Sequence, residues 1–179
     1  MITLRPLAPG DAAAYRELRL LGLRESPTAF SSSHAQEAAR DLAFFQTRLE
    51  GTPERWVLGA HADGVLIGVV GFLRDTGDKV RHKGFIVGMY VHPTWRGRVV
   101  GRQLMEEALR RIDALPGLRS VRLGVTAGNV SAEQLYASLG FVPYGDEPEA
   151  LQIDGVYFAE RHLVRQVRAP CKVGAGDER

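Results

Sequence analysis

The sequence predicts an α/β fold: a mixed sheet with helices on its faces, in the order βααβββαβαββ. Three observations carry that prediction. Alternating and helical hydrophobic spacings succeed one another along the chain. Two Asp-Gly pairs, Asp63-Gly64 and Asp154-Gly155, each lie between strand-like runs, and a glycine-bearing turn near residues 96–101 joins an apolar strand to an amphipathic helix. With 179 residues and 45% hydrophobic content, the chain can build one domain with its own core.

Ile2 to Leu7 alternates as a half-buried first strand should. Asp11 is placed to cap a helix whose apolar stripe is Ala14, Tyr15, Leu18 and Leu21, and Ser26-Pro27 breaks it. A second helix is expected from Ser33, which forms a capping box with Gln36, through Leu49, ended by Gly51-Thr52-Pro53. Trp56 to Ala62 and Val65 to Leu73 flank Asp63-Gly64, a two-residue hairpin signal. Gly77-Asp78 then separates the second of these from a long strand that ends at Val91.

Beyond Pro93 the apolar positions Val100, Leu104, Ala108, Ile112 and Leu115 recur at helical spacing, until Pro116-Gly117 stops them. Val121 to Val125 reads as another strand. A capping box of Ser131 and Gln134 is expected to open the last helix, which Gly140 terminates in the left-handed conformation. Phe141 to Tyr144 and the runs around Asp154-Gly155 form a final hairpin ending near Val164. Apolar patterning stops at Arg168, so a single domain over 1–167 and a loose tail over 168–179 are expected.

The join at 89–105 is where function is expected. The first N–H groups of a helix have no partner within it, and its dipole turns a positive end to the loop. An anion is the natural guest. Gly97 and Gly101 let backbone approach that guest, while Arg96, Arg98 and Arg102 add positive charge. Arginines alone would oppose the dipole; with an anion present they make sense. A Walker A loop requires Lys-Ser/Thr after its last glycine, but Arg102-Gln103 follows Gly101. A dinucleotide fingerprint requires a third glycine that is missing here.

Other classes are disfavoured by composition. A net charge of +2 with dispersed basic residues gives no nucleic-acid footprint. The single cysteine, Cys171, cannot form an intrachain disulfide, and no Cys/His spacing suits a metal site. No membrane-length apolar run or signal-peptide pattern appears, so a cytoplasmic location without membrane attachment is expected.

Arg96-Gly97-Arg98-Val99-Val100-Gly101 resembles the acyl-CoA-binding loop of the GNAT superfamily of N-acetyltransferases, Arg/Gln-x-x-Gly-x-Gly/Ala, with Val99 where the first glycine usually stands. A helical backbone at Val99 would make that difference harmless, because an N–H binds phosphate. A second segment, from Asn129 through Ala132, Leu135 and Tyr136 to Gly140-Phe141, is similar to the superfamily's Asn-x-x-Ala-x-x-Leu-Tyr-x-x-x-Gly-Phe. The element order is also that of the GNAT fold, to about Val164.

The resemblance implies acetyl-CoA as co-substrate, an amine-bearing acceptor, and no metal. It implies donor-binding positions at Met89, Val91, Arg96, Gly97, Arg98, Val99, Gly101, Arg102 and Asn129, with Tyr136 as general acid. Strand backbone between Met89 and Val91 would supply a carbonyl donor, and Gly88 would mark the bulge that frees it. The implied reaction is acetyl transfer to a primary amine by direct attack in a ternary complex. The base stays open among Glu37, His82, His92, a water chain and a backbone carbonyl. The acceptor is expected between 24–33 and 146–157, where Glu25, Asp146, Glu147 and Glu149 offer negative charge. Homodimers are frequent among such proteins. The alternatives are a silent acyl-CoA sensor and a phosphate- or nucleic-acid-binding module.

Overall fold

A computed structural model describes residues 1–167, and the expected tail over 168–179 lies outside the described residues. Seven strands there form one sheet: β1 (Ile2–Pro6), β2 (Arg55–Ala62), β3 (Val65–Arg74), β4 (Lys83–Val91), β5 (Ser120–Thr126), β6 (Val142–Ile153) and β7 (Val156–Gln166). Their spatial order is β1-β2-β3-β4-β5-β7-β6. Only the central pair, β4 and β5, runs parallel. The connection between them is α4 (Val100–Asp113), as a parallel crossover requires.

Both Asp-Gly pairs make the two-residue turns expected of them. Asp63 and Gly64 have φ of 49° and 84°, and Asp154 and Gly155 have 49° and 80°. Positive φ at both central positions matches the right-handed twist of the flanking strands.

The helices differ from the sequence reading in three places. After α1 (Ala12–Glu25), the single expected second helix is two, α2 (His34–Ala38) and α3 (Leu42–Arg48). The Ser33–Gln36 capping box forms with both bonds, but Asp41 starts a new helix by accepting the Phe44 N–H at 3.0 Å. Asp11 precedes α1 without capping it, because its carboxylate takes a two-bond contact from Arg5 and the Ala8 N–H. The cap of α5 (Val130–Ser138) is Asn129, two residues before the expected Ser131.

The two sheet faces carry separate cores. Val100, Leu104, Met105, Ala108 and Ile112 of α4 pack with Leu58, Val70, Ile86, Val121 and Leu123 on one face, together with Tyr136 and Phe141. On the other face, Tyr15, Leu18 and Leu23 of α1 and Phe45 of α3 pack with Val69 and Tyr90. Among the described residues no helix is long and apolar enough to cross a membrane.

Two irregularities in the centre of the sheet position the site. The β4–β5 register holds only for Lys83, Gly84 and Phe85 against Ser120, Val121 and Arg122, after which the strands part. On its other edge β4 carries an extra residue, since Val69 faces Tyr90 but Gly71 faces Val87. Gly88 and Met89 therefore stand together opposite Val70 in a bulge, with Gly88 at φ 61°. The insertion inverts the side-chain alternation. Ile86 and Met89 reach one core, whereas Tyr90 reaches the other.

Candidate functional site

Where β4 and β5 part, a cleft of about 1540 Å³ runs through the sheet. Its walls are β4 from Ile86 to Val91 and β5 from Leu123 to Thr126. The start of α5 and the arginine loop close one side, and α1 and the segment 25–31 close the other. Every candidate site residue proposed from sequence lines this cleft: Met89, Val91, Arg96, Gly97, Arg98, Val99, Gly101, Arg102, Asn129 and Tyr136.

The arginine loop meets the cleft with free backbone donors. Val99 is right-handed, at φ −59° and ψ 3°, so no glycine is needed there, while Gly97 takes φ 69°. The Val100 N–H bonds Arg98 O at 2.7 Å and the Gln103 N–H bonds Val99 O at 2.9 Å. Among the described residues the N–H groups of Arg98, Val99, Gly101 and Arg102 find no backbone acceptor. A Cβ on Gly101 would stand 3.3 Å from Met89 Cε, so the loop lies close against β4.

The three arginines are not equivalent. Arg98 lies over the Trp95 ring at 4.9 Å and extends from the loop. Arg102 ties α4 to α5 through a 2.9 Å bond to Ser138 Oγ. Arg96 instead donates to Glu25 Oε1 at 2.7 Å and to Val91 O at 3.1 Å. Its side chain links the loop to the end of α1, and Arg96 and Ser26 hold the Glu25 carboxyl down at about 2. Glu25 is thus already matched by a cation.

Tyr136 is held by the end of its own helix. The Gly140 N–H bonds Ala137 O at 3.0 Å and the Phe141 N–H bonds Tyr136 O at 3.1 Å, with Gly140 at φ 87°. This is the Schellman arrangement, and its usual apolar contact is the edge-to-face pair of Tyr136 and Phe141 at 6.0 Å. The hydroxyl has no side-chain partner among the described residues, and burial pushes it up to about 12. It keeps its proton throughout the neutral range. Asn129 accepts from the Ala132 N–H and from Ser131 Oγ through Oδ1, both at 3.3 Å, so its amide NH₂ is left to donate.

None of the three side chains considered as base lines the cleft. Glu37 is 3% exposed and clamped by Arg19 at 2.9 Å and Arg48 at 3.3 Å. Although burial raises its carboxyl, the two guanidinium groups bring it below the usual range. His82 lies at the closed end of β4, where its carbonyl accepts from Arg119. His92 Nδ1 is taken by Thr94.

The cleft instead holds Glu160 of β7, a residue that sequence reasoning missed. Glu160 faces Thr126 across the β5–β7 register. Val121, Leu123 and Val125 enter the core beside Tyr136, so Gly124 and Thr126 face the opposite side, where Thr126 Oγ1 donates to Thr28 O. Burial raises the Glu160 carboxyl, partly offset by His162 Nδ1 at 3.7 Å. The available signal was Gly124, a lone glycine within a strand, which marks a close approach. A second correction concerns the last hairpin. Residues 146–157 do not line the cleft, and Asp146 and Glu147 pair with Arg161 and His162.

Known proteins share the family and the fold of this chain. The sequence profile of the acetyltransferase (GNAT) family matches residues 20–141. The chain belongs to the acetyltransferase (GNAT) family. Its fold is similar to that of a GNAT acetyltransferase from Streptococcus pneumoniae, with TM-score 0.81 and 23% identity over 94% of this chain and 100% of that one. The yncA protein of Salmonella typhimurium, solved with its cofactor acetyl-CoA, aligns with TM-score 0.76 and 21% identity over 98% and 99% of the two chains. A ribosomal-protein-alanine N-acetyltransferase from Brucella melitensis aligns with TM-score 0.75 and 23% identity over 92% and 99%. No curated protein sequence matches. In this GNAT chain the bulge, the parted strands and the arginine loop converge on one cleft. Among the described residues no group of three or more His, Cys, Asp or Glu side chains is placed to hold a metal.

Proposed function

We propose that the chain is an acetyl-CoA-dependent N-acetyltransferase, in which a bound primary amine attacks the thioester directly within a ternary complex. The observation that carries this reading is the parting of β4 and β5, with Tyr136 on one side of the opening and Glu160 on the other.

The free N–H groups of Arg98, Val99, Gly101 and Arg102 suit a diphosphate, and the close backbone at Gly101 leaves room for its oxygens. Arg98 adds charge at the mouth. The Asn129 amide and the β4 backbone near Met89 and Val91 hold the pantetheine arm between the strands. At the Gly88–Met89 bulge, strand N–H groups without a register partner are available to the carbonyl oxygen as it gains negative charge.

Glu160 receives the proton that the amine must lose. Its raised carboxyl makes it a better base than an ordinary glutamate, and it approaches from the acceptor side. As nitrogen bonds to the carbonyl carbon and the carbon–sulfur bond breaks, charge collects on sulfur, whose thiol titrates at about 8.5. With its own hydroxyl at about 12, Tyr136 stabilises that sulfur by sharing a hydrogen bond more readily than by giving its proton away.

Calorimetric titration with acetyl-CoA, followed by thiol release with a panel of amines, tests this reading. Binding at micromolar strength with amine-dependent release supports it; absence of binding to any acyl-CoA overturns it.

A further inference from the structure

Where α1 and α3 meet the acceptor side of the cleft there is a local excess of positive charge. The Glu160 carboxylate, on β7, has His162 and Glu147 bearing on it rather than these arginines and is left to face the acceptor's amine. Arg19 of α1 and Arg48 of α3 both line the cleft, and both point at one carboxylate, that of Glu37. Arg19 donates through Nε and Nη2, at 3.1 and 2.9 Å, and Arg48 donates through Nη1 at 3.3 Å. Two guanidinium groups against one carboxylate leave a charge of about +1 in a place that is mostly dry, the Arg19 side chain being 10% exposed. Neighbouring Arg96 does not share this excess, because Glu25 matches it.

The remaining donor of Arg19 is aimed at the reaction locus. Nη1 has no hydrogen-bond partner among the described residues and lies 3.6 Å from the position a Cβ on Gly88 would take. Phe30 lies under the guanidinium at 4.3 Å and fixes its plane. A buried cation left short of a counter-charge is costly, and an arriving anion removes that cost.

We infer that the acceptor is a free amino acid, whose carboxylate is bound by Arg19 with Arg48 behind it while its amine meets the bulge and Glu160. This inference rests on the acetyltransferase reading of the same cleft. The charge selects the class: a singly negative carboxylate balances +1, whereas a phosphate dianion would overshoot. Distance narrows it further. Because Nη1 stands beside the bulge itself, the anion must lie within a few bonds of the reacting nitrogen, as in an amino acid. A peptide N-terminus, a lysine side chain in a protein and a polyamine lack an α-carboxylate beside the amine.

The test compares the twenty L-amino acids with their carboxamides, simple alkylamines and a short peptide, using the full chain, acetyl-CoA and thiol release. The best amino acid is expected to exceed its own carboxamide at least tenfold in kcat/KM, the span of one charge-assisted hydrogen bond. Arg19→Lys, whose folding is checked by its thermal midpoint, should collapse that ratio toward one and raise the amino-acid KM. Equal turnover of acid and carboxamide, or preference for the peptide or alkylamines, overturns the inference and leaves the acetyltransferase reading standing. Acetyl-CoA binding with no amino acid acetylated overturns it as well. Failure to bind acetyl-CoA in the parallel titration instead removes the underlying reading.

Discussion

A Cβ on Gly124 would stand 1.7 Å from Glu160 Oε1. The missing side chain at 124 is therefore what admits the Glu160 carboxylate to the cleft. Gly124→Ala must displace it, and because the atoms in the way are the outer end of a flexible side chain, the carboxylate can swing aside at little cost to the fold. Purified Gly124→Ala should melt close to the wild-type chain and still bind acetyl-CoA, but turn over more slowly. Full activity in that variant would show that the carboxylate need not be there.

Glu160→Gln tests the base itself through pH. The Glu160 carboxyl is raised by burial, so its ionised, proton-accepting form appears only above the ordinary glutamate range. His162 and Glu147 are the charged groups bearing on it. The acid limb of kcat/KM should therefore lie above about pH 4.3. Glu160→Gln should lower kcat about 10²–10⁴-fold and remove that limb; an unchanged profile would exclude Glu160 as the base.

The Tyr136 phenol has its own linkage signature. Its folded value, about 12, is above the unfolded value near 10, so the stability it contributes is complete below pH 10 and is lost as pH rises through 12. Two units correspond to roughly 3 kcal/mol. Denaturant unfolding between pH 9 and 12 should show this loss in the wild-type chain and a flatter course in Tyr136→Phe. Parallel curves would mean that the phenol is not buried as described.

Val99→Gly should leave acetyl-CoA affinity within about twofold, because φ −59° is available to any residue and the N–H is unaltered. Arg98→Ala should weaken binding, and added salt should erase part of the difference. Isothermal titration at two salt concentrations separates these expectations. A large gain in affinity from Val99→Gly would show that valine hinders the loop.

What could be read from the sequence followed how local its cause was. Turns set by Asp63-Gly64, Asp154-Gly155 and Gly140 were legible, since each depends on φ at one or two residues. The Asn129–Phe141 segment was legible because one short helix, its cap and its Schellman end hold all its parts. Glu160 was not, because it reaches the cleft through a register with β5 and a gap at Gly124, more than thirty residues away. Glu37 misled for the converse reason: a helical carboxylate looks available until Arg19 and Arg48 arrive from other elements. The break before Asp41 went unread because the apolar spacing from Ala35 to Leu49 runs on across it.

The Arg96–Glu25 bridge makes a further case of long-range pairing. It is partly exposed, so its worth to global stability is about 0–1 kcal/mol despite the depressed Glu25 carboxyl. Its effect should be local. Glu25→Gln should speed hydrogen exchange in residues 26–31, which cover the acceptor side, with little change in melting temperature. Unchanged exchange there would show that the bridge holds nothing in place.

The central claim is that the cleft between β4 and β5 binds acetyl-CoA and that Tyr136 then serves its transfer. Calorimetric titration of the wild-type chain and Tyr136→Phe with acetyl-CoA, paired with amine-dependent thiol release from both, tests it most directly. Both proteins should bind at micromolar strength, about −8 kcal/mol, with release about 10²-fold slower in the variant, which lacks the hydrogen bond to the departing sulfur. No binding by the wild-type chain, or equal release by the two, would contradict it.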